Sequence, residues 1–420
     1  MMNQESPQPQ KAQSRLFYGY IVVALALLIL VLTYGARTSF GIFFKPMLTE
    51  FDWTRALTSG AFTLSMVMQG VFGIIMGRLN DKFGPRFVLT SCCFFSGLGF
   101  LLMSQTGNVW QLYLFYGVII GMGAGGIFVA LFSTVSRWFV KNRGAMTGIV
   151  SAGIGIGTLV MSPLSNWLIS IYNWRMSYII VGSGVLVIGI LASQFLKRDP
   201  SKIGLLPYGQ NERTKQESAS GTEGLSLKEA VFTGQFWMAA IIFACLGYCI
   251  FTVNIHVVPH ITDLGISAAT AANILAATGG LQIIGGVTLG GAADRIGNRW
   301  AVAISFILIT AAMFCLVPET KMWLLYLFMV CYGLGIGGGG AMEPMVVAEL
   351  FGMKSNGLIL GVVSFVFTIG GAIGPVVTGY IFDVRGSYQL AFLISAFTGV
   401  VGIILAVMLR PPKKLIVPKL

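Results

Sequence analysis

Charged residues make up only 10% of this 420-residue sequence, against about 25% in soluble globular chains. So little charge excludes an ordinary soluble enzyme, a disordered chain and a nucleic-acid-binding domain together. Histidine is rarer still, with His256 and His260 the only two. The six cysteines, Cys92, Cys93, Cys245, Cys249, Cys315 and Cys331, all fall in apolar stretches. None has the clustered Cys, His and carboxylate company of a metal site or a disulfide framework, so neither metal nor cofactor is expected. Even the helical pair Cys245 and Cys249 reads as small core residues. Long polar segments are scarce too; the exception runs from Lys197 to Glu229 and reads as a solvated linker. No cleavable signal peptide is expected, because the polar start from Met1 to Arg15 leads into an apolar run too long for one.

Apolar length is what the sequence has: 55% of it is hydrophobic and its mean hydropathy is +0.82. A membrane-crossing helix needs about 20 such residues at a rise of about 1.5 Å each. Breaking the chain at its charges gives candidates at 17–44, 55–77, 87–105, 109–135, 144–168 and 175–196, then at 234–260, 268–292, 300–318, 322–348, 357–381 and 388–409. The expected fold is therefore all-α and integral to the membrane, with twelve transmembrane helices in two groups of six. Its segments are a tail over 1–16, a first bundle over 17–196, the linker over 197–230, a second bundle over 231–409 and a tail over 410–420. Ser226 to Glu229 has capping-box spacing and predicts a short helix leading into span seven.

The net charge of +12 tempts a polyanion-binding reading until the bases are located. Most of the 27 fall in the tails, the linker and the loops on the same side, which places both termini and the linker in the cytoplasm. The excess is topological, and no nucleic-acid partner is needed.

The two groups of six align with each other. Gly77-Arg-Leu-Asn-Asp81-Lys-Phe-Gly84-Pro-Arg86 after span two matches Gly290-Gly-Ala-Ala-Asp294-Arg-Ile-Gly297-Asn-Arg299 after span eight. Pro46 pairs with Pro259, Gln69 with Gln282, Trp110 with Trp323, Gly121 with Gly333, Phe139 with Phe351, Gly148 with Gly361 and Pro163 with Pro375. Parallel repeats of this kind place a substrate site near the midplane between the halves. The paired loops resemble the cytoplasmic motif of the major facilitator superfamily, over the whole chain. More narrowly, Tyr34-Gly-Ala-Arg37-Thr-Ser-Phe-Gly-Ile-Phe-Phe-Lys-Pro46, Arg137-Trp-Phe-Val-Lys-Asn-Arg143-Gly, Arg198-Asp-Pro-Ser-Lys-Ile-Gly and Glu349-Leu-Phe-Gly resemble the bacterial monocarboxylate and oxalate/formate porters. The resemblance implies a secondary transporter of a small organic anion in a bacterial-type inner membrane, driven by protons, surrounded by lipid and working as a monomer. Two other readings stand beside it: a major facilitator exporter of amphipathic, drug-like compounds, and a non-transporting receptor on the same scaffold.

Arg37 is the only base deep in a span, and a guanidinium at that depth costs at least about 2.5–3.5 kcal/mol. Its planar fork of donors suits a carboxylate; the plain alternatives are an ion pair with a neighbouring span, or snorkelling in the manner of Lys45. The resembled family carries a functional base at this place in the first span, and a second cationic anchor in span eight. Here that second position is Gly286, with Gln282 one turn earlier, a departure that makes a dicarboxylate a poorer fit. Gly285 and Gly286 leave room for substrate or serve close helix packing.

His256 and His260 share one face of span seven. Counting from Ile250, the counterpart of Arg37, puts them about 9 Å and about 15 Å outward. His256 is a candidate for substrate contact or proton transfer, His260 for an outer gate, and simple packing explains either. Asn254, one turn from Ile250, joins the pocket, as do the symmetric pair Gln69 and Gln282; Tyr34, Tyr116 and Tyr332 are further candidates, although aromatics at helical spacing usually belong to the core. Glu343 is the only acid well inside a span. A carboxyl there can exchange a proton as its surroundings change, or can serve as a structural partner. By resemblance, Asp81, Arg86, Arg143, Asp294 and Arg299 brace neighbouring helix ends and set the balance between states. The glycine runs Gly121 to Gly126 and Gly333 to Gly340 lie inside apolar spans with no preceding strand, so they read as close packing and not as nucleotide loops.

Overall fold

The computed structural model describes residues 17–139, 142–209, 224–317, 321–352 and 354–410. Within them, 12 helices are long and apolar enough to cross a membrane. In chain order they are α1 Tyr18–Phe51, α2 Arg55–Phe83, α3 Pro85–Met103, α4 Val109–Trp138, α5 Gly144–Ile171, α6 Trp174–Gln194, α7 Gly234–Asp263, α8 Ala268–Ala293, α9 Asn298–Cys315, α10 Met322–Phe351, α11 Gly357–Arg385 and α12 Gln389–Met408. All twelve sequence candidates fall on these helices. The expected short helix is Leu227–Val231, and its capping box is complete: the Ser226 hydroxyl accepts from the Glu229 N–H while the Glu229 carboxylate accepts from the Ser226 N–H. The tails and the middle of the linker lie outside the described residues.

The buried core lies mostly within each half, with Ile42 joining that of the second and Ile255 and Ala372 that of the first, and each half imprints the same local features. Pro46 and Pro259 sit inside α1 and α7 near their ends, where a missing N–H and a ring clash loosen the helix. In α1 the regular helix is interrupted at Ser39, between Tyr18–Thr38 and Phe40–Phe51. One difference between the halves has a readable cause. Trp110 aligns with Trp323 and Gly121 with Gly333, so the first half carries one residue more between these landmarks. There α4 takes a π-helical form over Tyr113–Ile120, whereas α10 is α-helical throughout Met322–Phe351. A π-bulge absorbs an extra residue without breaking the helix.

The glycine runs are packing surfaces. A side chain at Gly335 would strike the Ser305 carbonyl of α9, and one at Gly337 would strike Gln282 and Gly286 of α8. Similarly, Gly155 of α5 and Gly279 of α8 bring the backbones of the two halves into contact.

Even-numbered crossing puts both chain ends and the linker on one face, the linker face. The halves meet at the opposite, far face. There Gly41 of α1 lies against the Asn254 and Ile255 carbonyls of α7, and Gly379 of α11 against the Arg55–Ala56 backbone. At the linker face, side chains placed at Gly144, Gly148, Gly291, Gly357 or Gly361 would meet open space. The halves are therefore closed against each other at the far face, while these linker-face positions are uncovered. The linker docks on each half separately: the Tyr208 N–H donates to the Trp138 carbonyl (2.9 Å) and the Leu225 N–H to the Phe351 carbonyl (2.8 Å).

Candidate substrate site

Arg37 stands in α1 just before the interruption at Ser39, and its side chain is only 4% exposed. It does not snorkel. Its Nη1 donates to the Gln69 side-chain oxygen and its Nη2 to the Ser65 hydroxyl at 3.1 Å, both from α2. The guanidinium carbon lies 5.3 Å from the centroid of the buried Phe62 ring. Among the described residues, no carboxylate forms an ion pair with it. Its Nε is buried and has no hydrogen-bond partner among the described residues. The ion-pair alternative is thus replaced by an all-neutral cradle around an uncompensated cation, which in a low-dielectric interior is costly unless an anion joins it.

Gln69 is engaged at both ends, because its amide nitrogen also donates to the Tyr34 hydroxyl at 3.3 Å. It orients Arg37. Tyr116 is buried and donates from its hydroxyl to the Arg37 carbonyl at 3.4 Å. In the second half Tyr332 donates to the Ile250 carbonyl at 2.9 Å and lies 3.5 Å from the Asn254 side-chain oxygen. Gln282 is half-buried, and its side chain makes no hydrogen bond among the described residues. Gly285 is pressed against Leu334, while a side chain at Gly286 would meet only the Gly337 carbonyl at 3.5 Å, an ordinary contact. Glu343 is half-buried in α10 and accepts a hydrogen bond from Ser364 of α11. No base pairs with it among the described residues.

His256 sits in a different place, at the far-face closure. Its Nε2 is 2.8 Å from the Pro375 carbonyl and 3.2 Å from the Ser59 hydroxyl, and its Nδ1 is 3.1 Å from the Tyr388 hydroxyl. A carbonyl only accepts, so Nε2 carries the proton and Nδ1 accepts from Tyr388. Tyr388 in turn receives a hydrogen bond from Arg55. His260 packs edge-on against Tyr388 and Phe392, with centroid separations of 5.5 and 4.9 Å.

Arg55, at the start of α2, organises this closure. Its Nη2 meets Asp263 at 2.6 Å, its guanidinium stacks 3.6 Å over Phe382, and its side chain is only 12% exposed. The backbone N–H groups of Arg55 and Ala56 donate to the Asp383 carboxylate at 2.9 and 2.8 Å. The free N–H groups that begin a helix are thereby capped by an acid from the other half. Lys45 completes the set with Asp263 at 3.0 Å. Sequence reasoning missed Arg55, Asp263 and Asp383, because charges at span ends are commonplace.

At the linker face, no ion pair joins the halves among the described residues. Asp81 is exposed and lies 3.8 Å from Arg137 of its own half. Arg86 is exposed, and the Arg299 guanidinium lies 5.3 Å over its neighbour Trp300. The side chains of Arg143 and Asp294 lie outside the described residues. Among the described residues, every ion pair joining the halves is at the far face.

Two like six-helix bundles, held together by ion pairs at one face and carrying a buried cation between their ends, define a duplicated multi-pass membrane transporter. The chain belongs to the Major Facilitator Superfamily, whose family model matches residues 26–261 and 239–419. Among curated proteins it is similar to monocarboxylate transporter 13 of Bos taurus, 26% identical over 381 residues that cover 90% of this chain and 86% of that one. It is also similar to monocarboxylate transporter 12 of Mus musculus, 25% identical over 425 residues covering 95% and 86%. In shape it matches an inward-facing, occupied bacterial homologue of the human lysosomal transporter Spinster, with a TM-score of 0.71 at 16% identity, covering 94% of this chain and 97% of that one. An unoccupied form of that homologue also scores 0.71.

Proposed function

We propose that the protein moves a small organic anion, a monocarboxylate, across a bacterial-type inner membrane together with a proton, by alternating access. The carrying observation is Arg37: a buried guanidinium held by neutral groups, with its Nε free and no carboxylate paired to it among the described residues. A single carboxylate bound there neutralises the charge and meets a fork of donors preset by Gln69 and Ser65. The similarity to monocarboxylate transporters 12 and 13 supports the same class. Glu343 is the proton carrier in this reading, as an acid with a hydroxyl partner and no base. The linker face is cytoplasmic, in keeping with its bases. The far-face network of Arg55, Asp263, Asp383 and His256 is the outer gate, while Asp81, Arg86, Arg143, Asp294 and Arg299 lie where the opposite gate must close.

Uptake of labelled short monocarboxylates into proteoliposomes with an inside-alkaline gradient tests this. Gradient-driven uptake that disappears in Arg37→Gln is the expected result. A folded wild-type protein that takes up no monocarboxylate overturns it and moves the exporter reading, with an amphipathic substrate, to the front.

A further inference from the structure

The Phe62 ring beside the Arg37 guanidinium is met by aromatic rings of the other half. Phe62, beneath the guanidinium, lies 5.7 Å centroid to centroid from Phe251 of α7, and Phe251 lies 5.9 Å from Phe367 of α11. Phe62 is 2% exposed, whereas Phe251 and Phe367 are half-buried. Phe251 follows Ile250, the repeat counterpart of Arg37, so these rings stand at the level of the cation.

Of the polar side chains of the second half, Tyr332 and Asn254 already contact each other, and Gln282 alone of the three makes no hydrogen bond among the described residues. The Tyr332 hydrogen is given to the Ile250 carbonyl, and the Asn254 side-chain oxygen lies beside the same hydroxyl. No base of the second half stands at the Arg37 counterpart or at Gly286. A second carboxylate, or a body rich in hydroxyls, would lose its water against phenyl faces with little in return. An apolar body would exchange water for aromatic contact.

We propose that the acid held at Arg37 carries an apolar body of about phenyl size, and that Phe251 selects it. This rests on the monocarboxylate reading and sharpens it to amphipathic acids such as arylacetates. The rings have one other role to be separated from selection, namely sealing the passage toward the far face. A seal acts on every substrate alike. Selection changes the ratio between substrates.

The full chain in lipid nanodiscs is titrated with phenylacetate, acetate, oxalate and the neutral phenylacetamide, with ligand-induced thermal shift as the readout. Phenylacetate is expected to bind about ten- to a hundred-fold more tightly than acetate, the range for burying one aromatic side chain. Phe251→Ala is expected to shrink that ratio to about threefold or less, through a larger loss for phenylacetate than for acetate, and Phe251→Tyr to keep it. If Phe251→Ala gives no cooperative melt, Phe251→Leu takes its place and lowers the ratio several-fold. Equal binding of phenylacetate and acetate by the wild type overturns the proposal, as does a ratio untouched in the Phe251 variant. Binding of neither acid removes the monocarboxylate reading itself, and tight binding of phenylacetamide shows that the rings act without Arg37 and overturns the proposal as stated.

Discussion

At equivalent places in the repeat, the first half presents Arg37, Ser65 and Gln69, and the second Ile250, Thr278 and Gln282. The supporting bonds are duplicated. Ser65 donates to the Phe62 carbonyl at 2.7 Å, as Thr278 donates to the Leu275 carbonyl at 2.6 Å. A tyrosine of α4 bonds the Arg37 carbonyl, and a tyrosine of α10 bonds the Ile250 carbonyl. Missing from the second half are the charge and the tyrosine that ties the glutamine: Ile250 and Gly247 stand at the counterparts of Arg37 and Tyr34, and Gln282 makes no side-chain hydrogen bond among the described residues. A common scaffold thus serves both bundles, while the polar chemistry is concentrated in the first and the Phe251 and Phe367 rings stand in the second.

The sharpest way to break this comparison is to remove its one-sided charge. Arg37→Gln should lower monocarboxylate uptake by at least about a hundredfold, and Arg37→Lys by about tenfold, since an ammonium lacks the planar fork. Next comes Glu343→Gln, which should abolish pH-driven accumulation while sparing exchange of labelled for unlabelled substrate; loss of both would make Glu343 a structural residue. Restoring symmetry is a third test. Gly286 has room for a side chain, so Gly286→Arg should shift competition toward oxalate by about tenfold. An unchanged profile would place residue 286 outside the site. A smaller effect is expected from Asp383→Asn. Weakening the cap on α2 costs about 1–2 kcal/mol, enough to raise far-face labelling of an engineered cysteine severalfold. Smallest of all, Tyr34→Phe frees only one end of the Gln69 amide and should cost about two- to threefold in apparent affinity.

Much of this was legible in the chain before its structure. The spans follow from apolar length, the two halves from repeated landmarks, and Arg37 from the cost of a charge far from water. The far-face closure was hidden. Arg55, Asp263 and Asp383 each sit at the end of a span, where a charge is cheap, and nothing local marks partners 208 and 328 residues apart. Helical counting puts His256 about 9 Å outward, but says nothing of the residues that bond it there, Ser59 of α2, Pro375 of α11 and Tyr388 just before α12. Depth along one helix cannot reveal which neighbours stand beside it. The π-helical stretch in α4 has a sequence trace in the one extra residue between Trp110 and Gly121, visible only when the two halves are laid side by side.

The lone guanidinium also has an electrical consequence. With the site empty and the Glu343 proton released, the guanidinium and the Glu343 carboxylate leave the interior without net charge; with a carboxylate bound and Glu343 protonated, it is neutral again. Both reorientations therefore carry almost no net charge through the membrane field, which acts at up to about 2.3 kcal/mol per 100 mV on each uncompensated charge. A voltage across the membrane would then leave the cycle nearly untouched, whereas a carrier with Glu343→Gln, which keeps one positive charge when empty, would reset at a voltage-dependent rate.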